Sequence, residues 1–454
     1  MKTIAFQRVK GWSAKNVWLL AIVFVGLVLR LIWYSYVDTF PYADFEEYRL
    51  LAENLLKHFQ FGYPEYTAYR LPLYPVFLAI AMLFSGSIAW LSFLSVVLSS
   101  LTAFLVGILA YRLSYSKLIS ILAVLFTSFH PVFIMYSTVL ASEHLFLLLL
   151  LCALILIYEK NFSQSVFKQF LAGIVYGLTM LTRGEGMFYL PVFLLLILIN
   201  GGDKKKILSR LVVVVLAMII TVGPWYIRNQ IVVGAGSGLS TTTGLNFYYA
   251  HNSHQYGWHE RNSRSEFLGI NNMAVNKNGL KAGMDYIKKT SINKLLSDVR
   301  NATYLLYLWP GDYSLRCSTL ANKASKIVSN DSLMSLLMKS VRFYYLLLVF
   351  SAAALLFLIR YPLKTTVLLL GIIFMNWLGY AVIFWGMARY RYTAELLFCL
   401  LSAVFISEII FLAQKVYIKI NQTKYFSLVQ ISQNKSTQFL PDKSFLIANK
   451  GNKY

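Results

Sequence analysis

"NVWLLAIVFVGLVLRLIWYSYV" (residues 16–37) runs directly into "DTFPYADFEEYRLLAENLLKHFQFG" (38–62). The first stretch is unbroken apolar sequence, long enough for the roughly 17–25 residues of a membrane helix. It is too long for a signal peptide and has no small-residue cleavage site, so it reads as a retained anchor. The second stretch is acidic at its start, in a chain whose formal net charge is +23. From Asp44 onward Phe45, Tyr48, Ala52, Leu55, Leu56 and Phe59 recur at three-and-four spacing. That period predicts a short amphipathic helix, of the kind that lies along a membrane surface.

The rest of the chain follows the same plan. Of its 454 residues 58% are hydrophobic and only 13% charged, against about 25% charged in soluble domains. Further apolar segments fall at 72–86, 89–110, 118–136, 139–158, 168–182, 186–200, 206–226, 342–360, 363–385 and 392–413. The runs are continuous and do not alternate, which excludes a strand barrel. The expected fold is an all-α polytopic membrane protein of about ten to twelve spans. The segment 72–86 is the shortest, and it is the one expected not to cross fully.

Short basic connectors mark the inner side of a membrane. On that rule residues 1–37 form an inner N-terminus and first span, and 72–226 and 342–413 form two transmembrane blocks. The basic tail 414–454 is inner and loosely ordered, and 38–71 and 227–341 lie outside. The first of these outer segments carries six acids and three bases. The second has thirteen Lys/Arg against six acids within 228–339, a balance suited to anionic headgroups or phosphates. The expected place is a cell membrane, of bacterial inner type, with the site facing out.

The acids at 44–47 have a structural reading, as a helix cap that complements the helix dipole. They also have a chemical one. "AYRLPLYP" (68–75) brings Arg70 into the same outer segment. A carboxylate can take a proton from an acceptor hydroxyl as general base, and a cation can stabilise charge growing on a departing phosphate. This is the pair needed for group transfer from a phosphate-linked donor.

"PYADFEEYRLLAENLLKHFQFG" followed by "AYRLPLYPVFLA" resembles the GT-C glycosyltransferases, and more narrowly the protein-O-mannosyltransferase and aminoarabinose-transferase superfamily. "LTRGEGMFYLP" (181–191) resembles the family's Leu-Thr-Arg-Pro-Glu segment, with Gly184 where Pro is common. "GPWYIRNQ" (223–230) with "STTTGLNFYYAHN" (240–252), and "ARYRYTAELLF" (388–398), resemble its junction into a large outer loop and its late Arg-Tyr-Arg element. The resemblance implies a GT-C-like bundle with an amphipathic first outer-loop helix and a larger helical outer loop. It implies sugar transfer with inversion from a polyprenyl-phosphate donor to a hydroxyl acceptor.

It also implies roles. Asp44 matches the catalytic aspartate, because it precedes Tyr48 and the Ala-x-x-Leu helix, and Asp38 is the runner-up. Glu47 is placed to orient Asp44 or to raise its pKa by like-charge repulsion. This chain has Asp-Phe-Glu-Glu where protein mannosyltransferases have Asp-Glu, so a protein acceptor does not follow. Arg70, Arg389 and Arg391 are the expected phosphate ligands, the alternative for Arg389 and Arg391 being snorkelling anchors or an interface pair with Glu395. Arg183 either touches phosphate or headgroup or pairs with Glu185, and Arg228 beside Asn229 carries the same two readings. Glu143, beside His144 at the end of an apolar run, is a further candidate, since ionisable groups near membrane segments are costly. "STTTG" (240–244) is a hydroxyl-rich stretch that suits sugar, phosphate or a turn.

His251, His254 and His259 have no metal-ligand spacing, so no cofactor is implied, and dependence on a divalent cation stays open. The expected partners are membrane lipid, the lipid-linked donor and an unidentified acceptor, with no nucleic acid. A lipid-linked oligosaccharide polymerase or ligase is the alternative activity, and a lipid or sugar transporter the second.

Overall fold

The computed structural model describes residues 17–36, 44–62, 67–253, 272–309 and 330–437. Asp38, His254 and His259 lie outside them. Residues up to Val404 form one compact unit, and Phe405 begins a second. Every functional candidate described below belongs to the first.

No strand pairs with another among the described residues, and the elements are helices. Six helices are long and apolar enough to cross a membrane. They are α1 (Val17–Tyr36), α4 (Ile88–Ser114), α10 (Lys204–Val232) and three late ones described below. Five shorter apolar helices accompany them: α3 (Leu73–Met82), α5 (Lys117–Ser128), α7 (Ser142–Ile157), α8 (Val166–Thr182) and α9 (Glu185–Ile199). Each of the eleven apolar segments read from sequence therefore contains one of these helices, but with unequal reach. The ten residues of α3 rise about 15 Å, half of a hydrocarbon core of about 30 Å. The apolar run 118–136 is two helices, because Pro131 opens a separate turn, α6 (Pro131–Tyr136). Proline lacks the N–H to continue α5 and forces His130 out of the helical region; His130 has φ −63° and ψ 117°.

The amphipathic helix predicted after the first span is present as α2 (Asp44–His58), burying Phe45, Tyr48, Leu51 and Ala52 against α3. The long connecting segment adds α11 (Thr243–Ala250), α12 (Asn272–Lys289) and α13 (Ile292–Thr303), which runs into a π-helical turn at Tyr304–Leu308. Then come α14 (Asn330–Ala354), α15 (Leu363–Trp377) with a second π-helical turn at Leu378–Ile383, a 3-10 turn at Ala388–Arg391, and α16 (Tyr392–Thr437). Of the tail expected to be loose from residue 414, residues 414–437 are helical, and 438–454 lie outside the described residues. With no Gly or Pro between Tyr392 and Thr437, and with straight-chain residues that favour helix, α16 continues as far as Thr437.

Close packing holds the bundle. Gly173 and Gly177 on α8 lie one turn apart against α10, where a β-carbon would stand 2.4 Å from the Val214 carbonyl oxygen and 2.7 Å from Thr221 Cβ. Small residues at this spacing let two helix backbones approach in an apolar solvent. Arg30, inside α1, is buried. Its guanidinium donates to Ser99 Oγ and to the carbonyls of Gly26, Thr127 and Ser128, which ties α1 to α4 and α5 without a counter-ion among those partners.

Candidate active site

Asp44 is the first residue of α2, and both of its oxygens are engaged. Oδ1 accepts from Arg70 Nη2 at 2.6 Å, and Oδ2 accepts from Arg389 Nη1 at 3.0 Å. Arg70 also donates from Nε to Glu47 Oε2 at 2.7 Å. Arg389 donates from Nε to Glu143 Oε1 at 2.7 Å. Glu143, at the start of α7, lies with Oε2 2.9 Å from Arg183 Nη1, and Arg183 Nη2 reaches Glu185 Oε1 at 3.0 Å. Carboxylate and guanidinium thus alternate without interruption from Glu47 through Arg70, Asp44, Arg389, Glu143 and Arg183 to Glu185. The chain of charges crosses five separate stretches of sequence.

Each group is placed by its local structure. Arg70 sits between α2 and α3 on a loop that the long connecting segment grips. Thr241 N donates to Ala68 O, Ser240 Oγ donates to Tyr69 O, and Arg228 donates to the carbonyls of Thr67 and Phe61. Arg183 is the extended residue that ends α8, and Glu185 opens α9, where a carboxylate complements the helix N-terminus. Glu185 further accepts from the Tyr380 hydroxyl at 2.6 Å and from Thr393 Oγ1 at 3.2 Å. Tyr380 comes from the π-helical turn and stacks on Tyr390, with ring centroids 4.4 Å apart and planes 3° apart. Ser142 Oγ accepts from Arg183 Nη1 at 2.9 Å and is shared with the Tyr48 hydroxyl at 3.3 Å.

These groups wall a cavity of about 180 Å³. Its charged side is Asp44, Arg70, Arg183, Glu185 and Arg389. Ser240, Thr242, Thr243 and Asn246 make a hydroxyl and amide side, and Phe384, Trp385 and Tyr390 an aromatic one. Asp44 is the most open of the acids, with 34% of its side chain exposed, whereas Glu143 keeps 3%. Burial alone would raise the Asp44 carboxyl, but the charges and hydrogen bonds of Arg70 and Arg389 outweigh it and hold the group well below the usual carboxylate range. The sequence reading allowed that Glu47 raises this pKa. In the structure Glu47 is paired with Arg70, so that its charge is answered by the same cation that holds Asp44. Burial likewise opposes the charge of Arg70, and Asp44 first among its neighbours restores it, so its pKa rises.

Of the residues singled out from sequence, Asp44, Tyr48, Arg70, Arg183 and Arg389 line the cavity, while Glu47 and Glu143 hold its arginines from behind. Two do not join them. Arg228 is used on loop carbonyls, as above. Arg391 is buried against Glu395 at 3.0 Å, donates to the Trp309 carbonyl at 3.1 Å, and lies 3.9 Å over the Tyr344 ring. His144 is a buried member of an aromatic cluster with Tyr136 and Tyr392. His251 lines a separate apolar cavity. Among the described residues no group of three His, Cys, Asp or Glu is arranged to hold a metal ion. Sequence reasoning missed Ser142, Tyr380 and Trp385. A polar residue just before Glu143 and the aromatic run ahead of "ARYR" were the available signals.

Comparison with known proteins agrees with this architecture. Residues 70–227, about a third of the chain, match the family described as dolichyl-phosphate-mannose-protein mannosyltransferase. The crystal structure of the oligosaccharyltransferase of Archaeoglobus fulgidus, tethered to an acceptor peptide, superposes with a TM-score of 0.51 at 15% identity. It covers 89% of this chain, and this chain spans about half, 51%, of its length. ArnT from Cupriavidus metallidurans bound to undecaprenyl phosphate aligns over 87% of this chain and 78% of its own at 13% identity, with a TM-score of 0.39. No curated protein matches the chain by sequence. The fold is that of the GT-C membrane glycosyltransferases, carried on a multi-pass helical membrane protein.

Proposed function

We propose that the chain is an integral-membrane glycosyltransferase that moves one sugar from a polyprenyl-phosphate donor to an acceptor hydroxyl on the extracytoplasmic side. A single observation carries this reading: one cavity wall brings the carboxylate of Asp44 together with three arginines, one of them from a turn more than three hundred residues away from Asp44 in sequence. In the reaction the acceptor oxygen gives its proton to Asp44. Its electron pair forms a bond to the anomeric carbon from the face opposite the donor phosphate, which inverts that centre. The bond from the anomeric carbon to the phosphate oxygen breaks with its pair on oxygen, releasing the polyprenyl phosphate.

The donor phosphate begins with one negative charge and leaves with two. Guanidinium groups beside it are therefore worth more in the transition state than in the ground state, which is the condition for catalysis. The leaving group is stabilised as an anion, so no separate acid is required. The hydroxyl and aromatic sides of the cavity suit the polar edge and the C–H face of a sugar ring. Its volume lies below the roughly 300–1,000 Å³ of pockets for drug-sized ligands, which favours a monosaccharide over the oligosaccharide of a polymerase or ligase.

Asp44→Asn tests the assignment. Loss of a general base is expected to lower transfer of labelled sugar in membranes about 10²–10⁴-fold. Turnover close to the unaltered protein's would remove Asp44 from the mechanism.

A further inference from the structure

The charges along the cavity wall conflict with a simple phosphate site. Four carboxylates, Glu47, Asp44, Glu143 and Glu185, face three guanidiniums, and each guanidinium contacts two of the carboxylates. An entering phosphate meets no uncommitted cation in this set. The base that the reaction needs is meanwhile held by two of those cations. Both difficulties have one solution in the geometry of Arg389. Its Nε is fixed to the buried Glu143, and its guanidinium rests 4.9 Å from the ring of Phe45. Its Nη1 alone reaches Asp44, at 3.0 Å, the longer of the two contacts that Asp44 makes with arginine. Nη1 can leave Asp44 while Nε stays bound.

Resting on the glycosyl-transfer reading, we infer that Arg389 has two positions: Nη1 on Asp44 when the site is empty, and on the phosphate when an isoprenoid phosphate is bound, with Glu143 tethering Nε in both. Loading the donor then frees one oxygen of Asp44 toward the acceptor hydroxyl. Without a donor the carboxylate stays paired and is a poor base, so the acceptor is activated only when there is something to attack. The groups that face Asp44 are Arg70 from the loop, Arg389 and Tyr390 from the turn, and Glu47 on its own helix, with Glu143 and Arg183 behind Arg389. Of the cations, Arg70 is held by Glu47 at 2.6 Å as well as by Asp44, and Arg183 does not touch Asp44. Arg70 is anchored in the same way, by Nε on Glu47, but its Nη2 lies 2.6 Å from both Asp44 and Glu47. Arg389 combines the longer contact to Asp44 with an anchor on the buried Glu143, and is the one that can leave Asp44 most readily. Glu143 is in this scheme a positioning residue. A ligand moves such an equilibrium only through contacts it makes in one position and not in the other, and the phosphate contact of Nη1 is that difference.

The test uses the full chain in lipid nanodiscs and farnesyl phosphate as probe. Because Asp44 competes with the probe for Arg389, Asp44→Asn is expected to bind it about tenfold tighter, the equivalent of about 1.4 kcal/mol, although it removes the base. Arg389→Gln is expected to bind it about tenfold more weakly, and the gain from Asp44→Asn should vanish in the double variant. In Glu143→Gln that gain should shrink, which a merely structural role would not cause. A gain that persists undiminished beside Arg389→Gln is a general field effect and overturns the switch, as does the absence of any gain. The unaltered protein supplies a second readout: farnesyl phosphate should shift an infrared carboxylate band that is missing from Asp44→Asn, and an unshifted spectrum counts against the proposal. If farnesyl phosphate does not bind the unaltered protein at all, the glycosyl-transfer reading falls with it; binding without coupling removes the switch alone.

Discussion

Arg389 and Arg391 stand two residues apart on one 3-10 turn and serve opposite regions of the molecule. Arg389 points to the cavity and bridges Asp44 and Glu143, carboxylates from two other helices. Arg391 points into the protein, where Glu395, one turn along α16, and the carbonyls of Trp309 and Leu306 satisfy it. The sequence "ARYR" assigns both to phosphate. The structure gives one to the cavity and the other to the support behind it. What separates them is whether the partners are local. Arg391 can be answered from its own helix, at i+4, whereas Arg389 is answered only by residues brought from far away.

The largest expected effect breaks this pair apart. Arg389→Gln should lower sugar transfer by about 10²–10³-fold, as for loss of a group that stabilises developing charge, in a protein that remains folded. Arg391→Gln should do the reverse. It takes the cation away from a buried ion pair with Glu395, at a cost of about 3–5 kcal/mol, so folded yield and Tm fall while the folded fraction turns over normally. Thermal unfolding and specific activity, measured on both, check the contrast. Equal loss of activity with equal stability would return Arg391 to the site.

Arg70 sharpens the comparison through pH. The Asp44 carboxyl, opposed by burial, is held low by two arginines. A depressed carboxylate contributes stability and charge that are present above its unfolded pKa, about 3.9, and are lost only as pH falls through the lower folded value. In the unaltered protein the acid limb of kcat/KM should therefore lie below the ordinary carboxylate range. Arg70→Gln removes one of the two cations, so the limb should move up toward that range, with a fall in rate of about tenfold or more beside it. A limb that stays where it was would mean that the pH profile does not report Asp44. The corresponding variant at Arg228, which donates to carbonyls of the loop behind Arg70 and to Asn229 Oδ1, should cost stability of about 1–3 kcal/mol and leave the limb in place.

The same contrast explains what the sequence could disclose. Helix existence was legible because apolar runs and three-and-four spacing are local signals; α2 (Asp44–His58) stands where its period predicts a helix. The break at Pro131 was legible too, and the continuous hydropathy of 118–136 outweighed it. The set of charged residues at helix ends was legible as a set, since a chain this apolar keeps few charges without reason. Which of them meet was not. Glu143 and Arg389 are 246 positions apart, and Tyr380 reaches Glu185 across 195; no local period encodes such a pairing. Arg30, a lone cation within an apolar span, was the clearest signal left unread, and it braces the bundle rather than the cavity.

Tyr380 gives the smallest and most specific test. It stands on the π-helical turn, packs its ring on Tyr390, and donates its hydroxyl to Glu185. Tyr380→Phe removes only the oxygen, so the stack and the aromatic cavity wall remain. Glu185 keeps Arg183 and Thr393 as partners and is not left bare. A hydrogen bond to a charged group contributes about 1.5–3 kcal/mol, and the two remaining partners should reduce the net loss toward the lower figure. Because Arg183 shares Glu185 with Glu143, the freed carboxylate should draw Arg183 closer and loosen its hold on Glu143, and through Glu143 on Arg389. The expected result is a rise in KM for the lipid-linked donor of about threefold to tenfold with kcat nearly unchanged, which is the signature of lost ground-state binding. A fall in kcat at constant KM would instead place Tyr380 among the groups that act only in the transition state.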